Sequence, residues 1–132
     1  MDLTLDYGRT GLPVSLPDDA NITVLHPAYV PALPDPAAAL RDALRGPIGS
    51  APLRERVAAE DTVAIVFSDI TRPTPNHLLI PAILAELPHV PPENIVLCNA
   101  LGTHRFNTRA ELIEMLGEAI VDGYRIEQND CF

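Results

Sequence analysis

At 132 residues and 14.3 kDa the chain reads as one domain, residues 1–132, long enough to bury about two-thirds of its surface around a core. A net charge of -9, nine scattered arginines and 5% aromatic content without Trp argue against a nucleic-acid surface, which needs clustered cations and stacking rings. No lysine occurs, which excludes Schiff-base or lysine-tethered cofactor chemistry within this chain.

Leu3–Tyr7 alternates with period two, Gly8–Gly11 offers a turn, and Leu12–Leu16 alternates again, which predicts a β-hairpin. Pro17–Ala20 turns the chain into a third short strand, Ile22–Leu25. The proline-rich segment from Pro27 to Pro36 is expected to be extended, with Tyr29 and Val30 as anchors. Asp35 can cap a helix that starts at Pro36 and runs to Leu44. Gly46–Pro52 ends it. This loop reads as a connection rather than a phosphate cradle, because no strand and no Gly-x-Gly-x-x-Gly spacing accompany it. Leu53–Ala59 is expected to be a short helix.

Thr62–Phe67 is an apolar run without polar alternation, the pattern of a central parallel strand covered on both faces. It breaks into Ser68-Asp69-Ile70-Thr71-Arg72-Pro73-Thr74-Pro75, at the carboxyl end where open α/β sheets bind ligands. Thr74 as cap and Pro75 at the first position predict a helix from about Asn76 to Leu87, kinked at Pro81. After a Pro91-Pro92 turn, Ile95–Cys98 is a second strand, laid parallel by the crossover. A polar loop from Asn99 to Asn107 follows it. Thr108 and Glu111 have capping-box spacing, and Leu112, Ile113, Leu116 and Ile120 form the apolar face of a helix that ends by Gly123. Tyr124–Glu127 starts a further strand. The fold class is therefore α/β: a Rossmann-like parallel sheet layered with helices, preceded by an N-terminal β-hairpin.

Asp69, Arg72, His104 and Arg105 converge if the two strands are neighbours, each loop lying beside a helix amino terminus with its partial positive charge. Arg72, held between Pro73 and Pro75 on one side and the strand on the other, fits a structural ion pair with Asp69 as readily as a ligand contact. His104 is the functional candidate among four histidines, because a loop imidazole after a buried strand suits acid/base work. His26, His77 and His89 read as structural or solvated. Metal binding is not expected: no His, Cys, Asp or Glu cluster has ligand spacing. Cys98 and Cys131 lack metal-like spacing and read as reduced thiols. Without a visible signal sequence or an apolar run long enough to cross a bilayer, the chain is expected to be cytoplasmic, with no membrane partner.

Ser68–Pro75 together with Ala100-Leu101-Gly102-Thr103-His104-Arg105 resembles the motif pair of the nickel-dependent lactate racemase family. The resemblance extends to Tyr7-Gly8, Leu33–Pro36, Pro47–Ser50 and Pro92–Ile95, so it spans nearly the whole chain. It implies the N-terminal portion of a longer two-domain α/β enzyme. Such an enzyme racemises or epimerises a small 2-hydroxy acid by proton-coupled hydride transfer to a nickel pincer nucleotide. On matching positions it implies His104 as an acid/base histidine and Arg72 as the arginine that holds and polarises substrate. Asp69 would orient that arginine or an adjacent group, Thr71 would shape the pocket, and Thr103 and Arg105 would contact substrate or cofactor. The second histidine, the cofactor-tethering lysine and the nickel ligand would lie beyond Phe132, in the missing C-terminal part, and this chain alone is expected to be inactive. At Asn129 it departs from a family pattern of His before Asp. The alternative is a stand-alone small-molecule-binding or interaction module without catalysis. A truncated sheet is expected to self-associate, whereas a complete module is expected to be monomeric. A nicotinamide dehydrogenase is disfavoured by the missing glycine fingerprint.

Overall fold

The structure, a computed structural model, describes residues 1–131, and its contacts group the chain into two compact units, residues 1–32 and residues 33 onward. In the first, strands β1 (Asp2–Leu5) and β2 (Leu12–Ser15) pair antiparallel with Leu3 opposite Val14. The hairpin is the one that the alternation predicts. Gly11, at φ +77, closes its turn, and a Cβ there would be strained and would lie 2.7 Å from the Thr4 methyl, so glycine is favoured. The expected strand Ile22–Leu25 does not form, and Leu25 is 88% exposed. Four apolar-leaning residues specify a strand only when an edge is available to pair with. Tyr29 and Val30 are likewise exposed rather than anchored.

In the second unit, β3 (Val63–Ser68), β4 (Ile95–Ala100) and β5 (Arg125–Gln128) form a parallel sheet in the order β3-β4-β5. Helices α1 (Pro36–Arg45), α2 (Leu53–Arg56), α3 (Asn76–Ala85), α4 (Arg109–Leu116) and α5 (Glu118–Gly123) complete it. Alternate strand residues Ile65, Phe67, Ile95 and Leu97 meet Ile80, Leu87, Leu112, Met115 and Leu116 in one core. β4 is the central strand. The reading of β3 as covered on both faces is corrected: β3 lies at the edge of this sheet and Val66 is 68% exposed. A continuous apolar run reports hydrophobicity on both faces but says nothing of which neighbours arrive to cover them.

Local chemistry sets most helix ends. Asp35 accepts from the Ala38 N–H at 2.9 Å with Pro36 at the first position. Thr108 and Glu111 form the predicted capping box. Thr74 does not cap α3, because Pro75 is itself the non-helical flanking residue; Asn76 instead donates its amide to the Ser68 carbonyl at 2.9 Å, tying the helix start to the end of β3. The expected single helix after Thr108 is divided at Gly117, whose φ of +87 is left-handed. α2 is only one turn and stops before Val57. Buried Glu86, just past α3, accepts from the Nε of both Arg45 and Arg54 at 2.9 Å, which fastens α1 and α2 to α3.

Leu97 has no exposed surface and sits where the sheet meets both α3 and α4. Leu97→Ala is expected to cost about 2–5 kcal/mol, the range for emptying a buried leucine site. Urea unfolding should show this as a lower midpoint at unchanged slope.

Candidate active site

β3 and β4 pair in register from Val63 opposite Ile95 to Ser68 opposite Ala100, so both strands stop at the same level. Each is followed by a tight turn. The Arg72 N–H donates to the Asp69 carbonyl at 3.2 Å, and the His104 N–H donates to the Leu101 carbonyl at 3.0 Å. Gly102 occupies the second position of the latter turn at φ +60, a conformation that side chains with a Cβ rarely adopt. The two turns bring residues 35 apart in sequence into contact: His104 Nδ1 lies 2.7 Å from Asp69 Oδ2.

Asp69 is buried, and its second oxygen accepts from the Thr71 hydroxyl at 2.8 Å. Burial pushes its carboxyl pKa up, but the hydrogen bonds from His104 and Thr71 and the positive charges of His104 and Arg72 outweigh that, leaving it below the ordinary carboxylate value. The carboxylate is then ionised at neutral pH and can only accept. Nδ1 of His104 therefore carries the proton in that bond, and in the neutral ring Nε2 holds the free lone pair. The ring is half-exposed.

Asp69, Arg72, Thr103 and His104 line one cleft of about 400 Å³ between the turns, floored by the ends of β3 and β4. Among the described residues no side chain bonds the Arg72 guanidinium, and Arg72 forms no ion pair with Asp69. The Ser68 hydroxyl, in the cleft wall, is buried without a hydrogen-bond partner. Thr71 stands behind Asp69 rather than in the cleft lining. Arg105 is turned away: both its terminal nitrogens bond the Glu111 carboxylate, at 2.9 and 2.7 Å, and Nη1 also reaches the Phe106 carbonyl. It joins His104 in lining a smaller cavity of about 200 Å³. A larger cleft of about 540 Å³ runs along the outer side of β3, but its walls are apolar apart from Ser50 and Arg56 and hold no acid or base. Among the described residues no three His, Cys, Asp or Glu side chains gather as a metal site. The sequence reading passes over Asn107 and Gln128, although both are bonded to buried Asn99 at the end of β4; the available signal was a polar residue closing an otherwise apolar strand.

Residues 7–132 match the family model described as the lactate racemase N-terminal domain. The chain belongs to that family. It is 39% identical over 84 residues, 63% of this chain, to the lactate racemase of Lactiplantibacillus plantarum, and covers 20% of that protein. Against the lactate racemase of Thermoanaerobacterium thermosaccharolyticum it is 27% identical across 98% of this chain and 31% of the relative. The solved lactate racemase apoprotein from the latter organism superposes with a TM-score of 0.71 at 25% identity, over 98% of this chain and 30% of that structure. The chain thus spans a fifth to a third of the length of the relatives it matches. Within the matched residues, the two loops stand at the head of a parallel sheet and are joined through Asp69 and His104.

The Arg105 fork and the Thr108 N–H hold the Glu111 pKa down, from its ordinary 4.5 to about 2. A depressed carboxyl pKa adds stability that is complete above 4.5 and is lost as pH falls through about 2. Glu111→Gln is therefore expected to flatten the acid side of a plot of Tm against pH in that window. A slope equal to wild type would show that the fork adds nothing.

Proposed function

We propose that this chain is the N-terminal part of a longer two-domain cytoplasmic enzyme, a lactate-racemase-like isomerase that racemises or epimerises a small 2-hydroxy acid by proton-coupled hydride transfer. The observation that carries this reading is the Asp69–His104 pair beside the unbonded Arg72 cation, in a chain of the lactate racemase N-terminal family.

Each group has a chemical task. His104 Nε2 takes the proton from the substrate hydroxyl, and Nδ1–H, bonded to Asp69, fixes the tautomer that leaves Nε2 free. The ionised carboxylate then stabilises the imidazolium, and the Thr71 hydroxyl keeps that carboxylate from rotating. Arg72 offers a planar fork suited to the substrate carboxylate, and the Thr103 hydroxyl lines the same cleft. In the reverse direction the same Nε2 would return its proton to the substrate oxygen, and the second acid/base histidine that the resemblance implies would serve the other enantiomer. A nickel pincer nucleotide, when bound, would supply the hydride acceptor. This chain has no lysine to tether it and, among the described residues, no three-ligand metal cluster. On this reading the residues here would act on the substrate, and cofactor attachment would fall to the C-terminal part of the enzyme. Arg105, engaged with Glu111, would reach substrate or cofactor only by leaving that bond.

In the enzyme read past the codon for Phe132 and loaded with cofactor, His104→Ala is expected to lower kcat by roughly 10²–10⁴-fold with folding retained. Arg72→Lys is expected to raise KM sharply, since a point cation replaces a bidentate fork. Wild-type racemisation in His104→Ala refutes its acid/base role. A loaded wild-type protein that interconverts no 2-hydroxy acid yet binds one would favour the binding-module alternative. Self-association of the chain by itself would run through the exposed Ala64 and Val66 on one face of the edge strand β3. A light-scattering mass that stays monomeric at high concentration would count against that.

A further inference from the structure

We infer that Gln128 and Asn129 are positioning residues: two side-chain amides at the end of β5 that clamp both ends of the loop bearing His104. The inference deepens the reading above, on which its catalytic meaning rests. Asn129 Oδ1 accepts from the Leu101 N–H at 2.5 Å, and Asn129 Nδ2 donates to the Gly102 carbonyl at 3.3 Å. Gln128 Oε1 accepts from the Asn107 N–H at 2.8 Å, and Gln128 Nε2 donates to the Asn107 carbonyl at 3.0 Å. Each amide thus meets one donor and one acceptor of the loop backbone, as another peptide group would. Consecutive strand residues point to opposite sides, which is how neighbours in sequence reach opposite ends of one loop.

The amide orientations follow from the partners. A backbone N–H can only donate, so the oxygens of Gln128 and Asn129 must face Asn107 and Leu101, which turns both nitrogens toward carbonyls. Gln128 Oε1 also receives the Asn99 amide at 3.2 Å, and Asn99 donates to Asn107 Oδ1 at 2.8 Å, so the base of the clamp is braced from β4. Leu101 is buried, and β4 has already ended at Ala100, so without Asn129 its N–H would be left without the partner it has here. The stretch between the clamped ends, residues 102–106, is exposed, and nothing lies within 4 Å of where a Gly102 Cβ would be. Hydrogen bonds rather than packing hold this loop. The Leu101 carbonyl anchors the His104 N–H while the Leu101 N–H is anchored by Asn129, so a single residue, Leu101, joins the clamp to the histidine's backbone. Asp69 restrains the ring and the amides restrain the backbone that carries it.

The chemistry demands an amide at both positions. A carboxylate accepts but cannot donate, and alanine does neither. Asn129→Asp and Gln128→Glu therefore keep size and one bond of each pair, while Asn129→Ala removes both. Proton exchange at His104 Nδ1, read by NMR on ring-labelled chain with His104→Gln for assignment, is expected to speed up about tenfold in each of the three variants. In the cofactor-loaded longer enzyme kcat is expected to fall on the order of 10²-fold with KM little changed, because the clamp touches no substrate. Asn129→Gln, which restores both functions on a longer arm, is expected to recover part of the loss. Should Asn129→Ala fail to fold, the two isosteric acids carry the test. Wild-type ring exchange in folded Asn129→Asp and Gln128→Glu overturns the clamp, and so does a lower Tm unaccompanied by any change at His104. Ring exchange is read without turnover, so absent racemisation in wild type would strike the enzyme reading and leave the clamp to be judged by the ring.

Discussion

β3 and β4 end level with one another, Ser68 opposite Ala100, and the cleft depends on that register. A slip of one residue along either strand would exchange its buried and exposed faces, taking Ile65 and Phe67 or Ile95 and Leu97 out of the core. Burial of those side chains therefore fixes the register, and the register fixes where the chain leaves each strand. Two turns that each span four residues then carry Asp69 and His104 toward one another. The 2.7 Å contact between them follows from hydrophobic packing several residues away.

Charge is distributed unevenly around this contact. Asp69 is buried yet stays ionised, because hydrogen bonds from His104 and Thr71 and the field of Arg72 exceed the cost of its burial. Glu86, also buried, pairs elsewhere with two half-exposed arginines and serves architecture, fastening α1 and α2 to α3. The contrast separates the two buried acids. Glu86 uses both of its oxygens on guanidinium groups outside the cleft between the two turns, whereas Asp69 spends its oxygens on a histidine and a hydroxyl beside it. Arg105, like the Glu86 arginines, is engaged, and Arg72 is the cation that the cleft leaves available among the described residues.

The sheet shows how much of this arrangement is held from one side. Helices α3 and α4 cover the face carrying Ile65, Phe67 and Leu97, while Ala64 and Val66 on the other face of β3 remain exposed. The site is thus a rigid pair of strand ends joined to a loop that packing barely touches. Asp69 and His104 meet where these two parts join.

Local instructions were legible in part: Thr74 does not cap α3 and Gly117 divides the helix expected after Thr108, but other signals hold. Asp35 before Pro36, the Thr108–Glu111 box, the glycines of the hairpin turn and the two apolar runs breaking into polar loops act within a few residues, and each appears where local chemistry puts it. The resemblance to the lactate racemase family, drawn from residues along nearly the whole chain, agrees with the family match over residues 7–132. What the sequence could not decide were the matters of pairing. A strand's place in the order depends on which other strands reach it, so β4 rather than β3 is central, and Ile22–Leu25 has no strand at all. Asp69 takes His104 rather than Arg72 as its partner because contact across the sheet, not spacing along one loop, selects it. Gln128 and Asn129 reach residues 21 and 28 positions earlier, through a register that only the assembled sheet creates. Periodicity and caps are short-range and so are written in the chain; contacts between distant residues exist only after burial of the core has brought the strand ends together.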